Sequence, residues 1–455
     1  MLAVSRIAIA SRLPLLLALV AGCVPGPCST IAKRPDIVVI VADDLGWGDV
    51  GWHGSSIQTP NLDRLVRTGV ELDQHYVSPV CSPTRAAILS GRYASRFGVT
   101  SAQNDRVYSD DTVTLARALR SAGYATAITG KWHLGSKPDW GPNRFGFDHA
   151  YGAFAGGTGP YNHRYKNGEF SATWHRNSEL ISEEGHVTDL IAREAVGWLE
   201  SRDARPFFLY LPFTAPHIPI DEPQRWLDLY PTVEPPSARQ YAASVTHMDD
   251  AVGLVIAALE RTGRLENTLI VFTSDNGASP NARNDDPAYP GSYPAGPAGG
   301  SNLPLRGGKG DLFEGGIRVP ALVHWPRALA PGVFRAPLHA VDWLPTLCAL
   351  AGCQPARDLK WDGQNIWPWL TGATSPASRP LYWAGRGFHT RAVRDADWKL
   401  IVRDDSDQVE LFDLASDPSE RSDLAAREPA RVAALEALLE KLAAADIKPR
   451  PEAIR

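Results

Sequence analysis

The sequence predicts an α/β protein: a doubly wound sheet with helices on both faces, then a small antiparallel sheet with one packing helix. Three observations carry this reading. Asp36-Ile37-Val38-Val39-Ile40-Val41 is β-branched from Ile37 on, as a strand must be when parallel neighbours bury both its faces. Similar runs return at 124–129, 206–211, 268–273 and 319–325, separated by helical patterns at 59–67, 113–122, 187–202 and 241–261. Such alternation suits strands joined by crossover helices, and it places the chemistry at the carboxyl ends of the strands. Beyond about 375 the pattern changes to short alternating segments at 381–384, 390–393, 398–402 and 409–413, joined by tight turns.

Taken in order, the chain opens with Arg6 and Arg12 ahead of the apolar stretch 13–21, which is too short to span a bilayer but suits a secretory leader. Val20-Ala21-Gly22-Cys23 resembles a bacterial lipobox, in which Cys23 would carry a lipid anchor, and reads equally well as an ordinary signal peptide. Residues 1–23 are therefore expected to be a signal, and 25–34, with Cys28, a flexible segment. No later stretch of 18 consecutive residues is apolar, so no transmembrane segment is expected. The expected destination is the periplasm or the outer membrane of a bacterium, otherwise secretion. A catalytic domain is expected over 34–374 and an α+β subdomain over 375–455. Residues 338–351 read as an amphipathic helix, followed to about 376 by a loop rich in Gly, Pro and Ser. The final helix, 429–445, puts Val432, Leu435, Leu439 and Leu442 on one stripe.

Composition narrows the function. With 44% hydrophobic and 21% charged residues the 455-residue chain is an ordinary globular one, and its 39 Gly and 37 Pro are scattered as in a loop-rich enzyme. A net charge of −5 with no basic block argues against nucleic acid as a partner. Five cysteines do not make a disulfide scaffold; Cys348 and Cys353 suit either a pair or two buried thiols.

Six loci follow strand runs or lie in loops. Asp43-Asp44 closes the first strand, and two adjacent carboxylates there are costly unless a cation, such as a hard divalent ion, lies between them. Ser274-Asp275-Asn276-Gly277 offers further oxygen donors and a turn. Cys81 lies between Pro79 and Pro83, with Pro83 expected to open a helix over 84–89 and Arg85 one turn along, a setting that favours an anion. Lys131 and His133, two apart in Gly130-Lys131-Trp132-His133-Leu134-Gly135, project the same way from extended chain. His217 follows another strand, and Lys309 sits in the Gly-rich Leu305-Arg306-Gly307-Gly308-Lys309-Gly310. Each cluster alone has a plain structural reading as a turn, a cap, a core residue or a surface residue.

Together these segments resemble the sulfatase family. Cys81-Ser82-Pro83-Thr84-Arg85 matches its Cys-x-Pro-x-Arg signature and Gly130–Gly135 its second signature, while Gly51-Trp52-His53-Gly54-Ser55 and Asn302-Leu303-Pro304-Leu305-Arg306-Gly307-Gly308-Lys309 look most like arylsulfatase B. The resemblance implies an alkaline-phosphatase-like large mixed sheet flanked by helices. It implies that a separate formylglycine-generating enzyme oxidises Cys81, and that one calcium ion is held by Asp43, Asp44, Asp275, Asn276 and an oxygen of modified Cys81. Arg85, Lys131, His133, His217 and Lys309 would complete the site. A hydroxyl of hydrated formylglycine would attack sulfur, cations would neutralise the sulfate oxygens, His217 or Lys309 would protonate the leaving alcohol, and His133 would take the proton that expels sulfate. The expected substrate is a sulfated saccharide or aryl sulfate, a galactose or galactosamine sulfate above all. Two alternatives stand beside it: a phosphate or phosphonate ester hydrolase on the same fold, and an inactive glycan-binding relative. In the 151–174 segment, Phe154, Tyr161, His163, Tyr165 and Trp174 would stack on sugar or pack the core, and the loop 280–301 is expected to rim the pocket.

Overall fold

The computed structural model describes Met1 and residues 33–406 and 408–448; the leader reading, with Cys23 and Cys28, lies outside them. The chain divides into two units between Lys33 and Arg34, and the second holds all the elements below. Among the described residues the strands are β1 (Asp36–Ala42), β2 (Val70–Leu72), β3 (His75–Tyr76), β4 (Ala125–Lys131), β5 (His149–Ala153), β6 (Trp174–Arg176), β7 (Glu179–Leu180), β8 (Phe207–Pro212), β9 (Thr268–Ser274), β10 (Ala321–His324), β11 (Gly332–Phe334), β12 (Leu338–His339), β13 (Leu381–Ala384), β14 (Thr390–Asp395), β15 (Trp398–Arg403) and β16 (Gln408–Asp413).

A mixed sheet of ten strands runs β11-β2-β10-β9-β1-β8-β4-β5-β6-β7. Its middle, β9-β1-β8-β4-β5, is parallel, with Ile37 beside Phe208 and Leu269. Alternation along β1 explains why every residue there is apolar after Asp36. Ile37, Val39 and Val41 enter one core, and Val38, Ile40 and Ala42 the other. The first core packs against helices Cys81–Ser90, Leu115–Ser121 and Trp343–Ala351; the second packs against Pro60–Thr68, Val187–Glu200 and Pro236–Arg261.

Several expectations are corrected. The run 319–325 contains β10, which is antiparallel to β9. Between them the chain has only loop and the short helix Glu314–Ile317, so it returns from the carboxyl edge without a crossover. The region 338–351 is strand β12, a 3₁₀ turn and helix Trp343–Ala351, whose side chains other than Ala349 are buried, so it is a core helix and not an amphipathic one. The helix at Cys81 begins at Cys81 itself, three residues before the expected start. Pro83 is tolerated in that first turn because no N–H there has an intrahelical acceptor. The long helix begins at Pro236, not at 241; it is apolar enough along its length to cross a bilayer, and most of it is buried in the second core.

β13-β14-β15-β16 form a separate antiparallel sheet. Tyr382, Val393, Leu400 and Leu411 join the first core together with Leu435 and Leu439 of helix Pro429–Ala443. The opposite face, Leu381, Trp383, Ala392, Ile401 and Phe412, packs on Tyr76, Leu312, Phe313 and Ile317. The loop that carries Lys309 therefore rests on this second sheet.

Candidate active site

Four adjacent strands deliver the polar side chains. Asp43 and Asp44 leave β1, Asp275 and Asn276 leave β9, Lys131 ends β4 with His133 two residues on, and His217 follows β8. Parallel strands in register put these carboxyl ends side by side, and backbone bonds across the ends (Asp43 N to Ala215 O, Asp275 N to Ala42 O, both 3.0 Å) hold them there. Helix Cys81–Ser90 lies below, with Cys81 and Arg85 one turn apart on one face. Lys309 arrives on its loop, its backbone N–H donating to Ala278 O at 3.0 Å.

All ten residues singled out from sequence meet here. Lys131 Nζ donates to Asp43 Oδ2 at 2.5 Å, and Arg85 grips Asp275 Oδ2 through Nη2 at 2.7 Å and Nε at 3.0 Å. Lys309 Nζ reaches Asp44 Oδ2 at 2.8 Å, Asn276 Nδ2 donates to Asp44 Oδ1 at 2.7 Å, and His217 Nε2 stands 3.8 Å from Asp44 Oδ2. One ligand atom each from Asp43, Cys81 and Asp275 fit within 4.8 Å of one another, and so do atoms of Asp43, Asp44 and His217. Lys131, Arg85, Asp43, Asp275 and Asn276 are wholly buried and Lys309 is half-buried, so Lys131 is not a surface group and the paired aspartates are not simple turn caps.

Two buried oxygens, Asp43 Oδ1 and Asn276 Oδ1, have no hydrogen-bond partner, and neither does His133 Nδ1. Buried acceptors are rarely left unpaired, and carboxylate and amide oxygens are the donors that a hard divalent cation takes. On this test the residues present fit a hard divalent cation.

Burial and the adjacent Asp275 raise the Asp43 carboxyl to about 7 against the pull of Lys131 and Arg85. Burial also raises Asp44, but Lys309 and His217 outweigh it and hold that carboxyl well below the usual range. Burial alone would lower Lys309, and Asp44 reverses this, keeping the ammonium charged. The Cys81 thiol is pushed up by burial despite Lys131 and Lys309, so it stays protonated. Burial, then Lys131 and Arg85, hold His133 well below its ordinary value; burial, then Lys309, do the same to His217. Both imidazoles are neutral at pH 7.

Some neighbours escaped the sequence reading. A Cβ on Gly156 would fall 2.2 Å from His133 Nε2, and one on Gly157 would fall 2.4 Å from the Tyr289 hydroxyl. Ala155-Gly156-Gly157 was the available signal, since consecutive glycines mark a close approach. Phe154, His163 and Trp174 are core residues, whereas Tyr161 is exposed and Tyr165 half-buried, edge-on to Tyr289 at 5.7 Å between ring centroids. Tyr289, itself buried, brings the 280–301 loop against Gly157 beside His217.

The sulfatase family model matches residues 35–353, and a model described as N-sulphoglucosamine sulphohydrolase, C-terminal, matches residues 308–447. Arylsulfatase J of Mus musculus is 32% identical over 87% of this chain and 74% of its own length. The N-acetylgalactosamine-6-sulfatase of the same organism is 33% identical, covering 85% and 75%. The crystal structure of Ps i-CgsB in complex with k-i-k-neocarrahexaose superposes with a TM-score of 0.82 at 33% identity, covering 92% of this chain and 94% of that one. The phosphonate monoester hydrolase of Agrobacterium radiobacter, at 20% identity and a TM-score of 0.65, shares the fold.

Proposed function

The chain belongs to the sulfatase family and is an enzyme, and from that premise we propose that it releases inorganic sulfate from a sulfated carbohydrate, with Cys81 acting as formylglycine beside one calcium ion. The observation that carries this is the set of buried oxygen donors with two unpaired oxygens, packed against a buried cysteine and three cations. Asp43, Asp44, Asp275, Asn276 and the residue-81 oxygen would hold the ion. When bound, calcium would polarise the nucleophilic oxygen and draw charge from the sulfate.

The chain's own residues do the rest. Fully ionised, Asp43, Asp44 and Asp275 balance Arg85, Lys131 and Lys309, so a divalent cation makes the pocket net positive and favours an anionic ester. Focused potential of this kind is what a chain of net charge −5 needs to bind an anion. His217 donates Nδ1–H to Ile218 O, which leaves Nε2 as an acceptor toward the pocket. Lys309 carries a proton and is the donor for the leaving oxygen. Neutral His133 is the base. A protonated Cys81 thiol is a poor nucleophile, which supports conversion of the side chain before turnover.

Relatives named for N-acetylgalactosamine sulfate and a neighbour holding a neocarrahexaose support a galactose or galactosamine sulfate within a polysaccharide. Export, with Cys23 as lipid anchor or as part of a cleaved signal, and a formylglycine-generating enzyme as maturation partner belong to the same reading. The test is peptide mass spectrometry of Cys81 after co-expression with that enzyme, paired with sulfate release. An aldehyde together with sulfate release is the expected result. An aldehyde with release of phosphonate only would transfer the protein to phosphonate esters. A thiol that stays unmodified, with no release, would leave a glycan-binding protein.

A further inference from the structure

Beside the sulfate pocket lies a cleft of about 620 Å³, within the size range that holds a saccharide ring or two. One end is formed by Pro79 and Val80, which immediately precede Cys81, and by Gly310, which follows Lys309 and donates to Pro79 O at 2.8 Å. The cleft therefore borders the residues that flank Cys81 and Lys309 in the chain. One wall is the segment 98–105, tied to the nucleophile's helix by Gln103 N donating to Ser82 Oγ at 3.3 Å. Phe170 adds a half-buried ring suited to the face of a sugar.

The opposite wall comes from the second sheet. The β13–β14 hairpin brings Arg386 and His389 to the cleft. This hairpin is tightly wound: Gly387 and Phe388 are consecutive left-handed residues, φ 63° and 62°, and a bulky side chain seldom adopts that conformation. It is pinned across the cleft by Gly387 N donating to Thr100 Oγ1 at 3.0 Å. Arg391, on the strand that follows, is held by Asp404 and Glu440. Arg386, by contrast, has no carboxylate or other side-chain partner among the described residues and is exposed at the cleft. A guanidinium presented on a strained, anchored turn beside an anion-hydrolysing pocket is arranged to meet a second anion.

We infer that this cleft is a saccharide subsite in which Arg386, with His389, reads a second anionic group on the substrate, either another sulfate ester or a uronate carboxylate. The inference rests on the sulfatase reading of the adjacent pocket. The substrate class it names is a polyanionic glycan, not a singly sulfated one.

The test compares matured enzyme on a disulfated saccharide, a saccharide with one sulfate and one uronate, a singly sulfated saccharide and 4-nitrophenyl sulfate, which is too short to fill the cleft. Arg386→Ala should lower kcat/KM for doubly anionic saccharides about tenfold or more, chiefly through KM, and at least about tenfold further than for 4-nitrophenyl sulfate. Arg386→Lys should restore part of the loss. Whichever doubly anionic saccharide the wild type prefers identifies the second group as sulfate or carboxylate. An equal fall on every substrate, no fall, or no wild-type preference over the singly sulfated saccharide would overturn the inference. Absence of sulfate release from every substrate would instead sink the sulfatase reading. The cleft is then judged by calorimetry on Cys81→Ala, where adding Arg386→Ala should weaken binding of the disulfated saccharide about tenfold, and unchanged binding would refute the subsite.

Discussion

Asp44 and His133 both hold left-handed backbone, φ 67° and 56°, a conformation that costs residues with a Cβ about 1–3 kcal/mol each. In each case the strand has just ended, and the turn redirects the side chain into the pocket rather than along the sheet. Strain of this kind persists only where surrounding contacts enforce it; for Asp44 these are Lys309, Asn276 and its own N–H on Asp275 Oδ1 at 3.3 Å. Removing Lys309 takes away both a partner of Asp44 and the proposed proton donor. Lys309→Ala is expected to lower kcat/KM for sulfate release about 10²- to 10³-fold, read by steady-state kinetics on matured protein. Taken singly, their places after strands or in loops read as turns, caps, core or surface; the residues of this pocket were legible in the sequence because together they match the sulfatase signatures. Gly156, Gly157 and Tyr289 were not, because their contribution is to come close to another segment, and that depends on which strands are neighbours.

At the scale of elements, strands β1, β8 and β9 were readable because burial on both faces forces a nearly continuous apolar run, and β4 more weakly, its buried faces including Thr126, Thr129 and Lys131. The short strands at and next to the sheet's two edges, β2, β6, β7 and β11, were not. They are two or three residues long, and an exposed pair such as Glu179–Leu180 leaves no period to detect. The second sheet was readable from its alternation, yet what fastens it was not. Lys399 on β15 is wholly buried, bound to Glu314 at 3.0 Å and Glu420 at 2.8 Å, while the Tyr76 hydroxyl donates to Glu314 at 2.6 Å. Lys399→Met would strand two carboxylates without their cation, and a loss of about 3–5 kcal/mol in urea unfolding is expected. A second buried junction ties helix Pro236–Arg261 to its surroundings: His247 donates to Glu222 at 2.7 Å and to Asp189 at 3.1 Å. Burial alone would lower this imidazole, but the two carboxylates overcome it and raise it to about 9. Because the folded value exceeds the ordinary 6.5, the stabilisation is complete below pH 6.5 and is lost as pH rises through 9. The urea midpoint should fall across that window by the equivalent of a contribution on the order of 3 kcal/mol, and His247→Gln should flatten the fall.

For the whole molecule, the proposed calcium site joins the ends of β1 and β9 to the helix at Cys81, so the ion would brace the sheet as well as serve the reaction. Dialysis against a chelator should lower the thermal midpoint, and added calcium should restore it; at a hundredfold excess over Kd the linkage amounts to about 2.7 kcal/mol. A midpoint indifferent to both treatments would remove the ion from the proposal. The depth of Cys81 has a further consequence, one of timing. Its side chain is 1% exposed, and Arg85 and Lys131 beside it are wholly buried under segments that arrive as late in the chain as residue 309. No second protein can grip this residue once those segments have closed over it. The proposed conversion to formylglycine would therefore belong to the interval between synthesis and closure, and a chain that folds first as a thiol would have missed it. Folded Cys81 protein mixed with the maturation enzyme should keep its thiol mass, whereas the same chain presented unfolded should lose it. Activity in a preparation would then record the order of two events, modification and folding, more than the quantity of protein made.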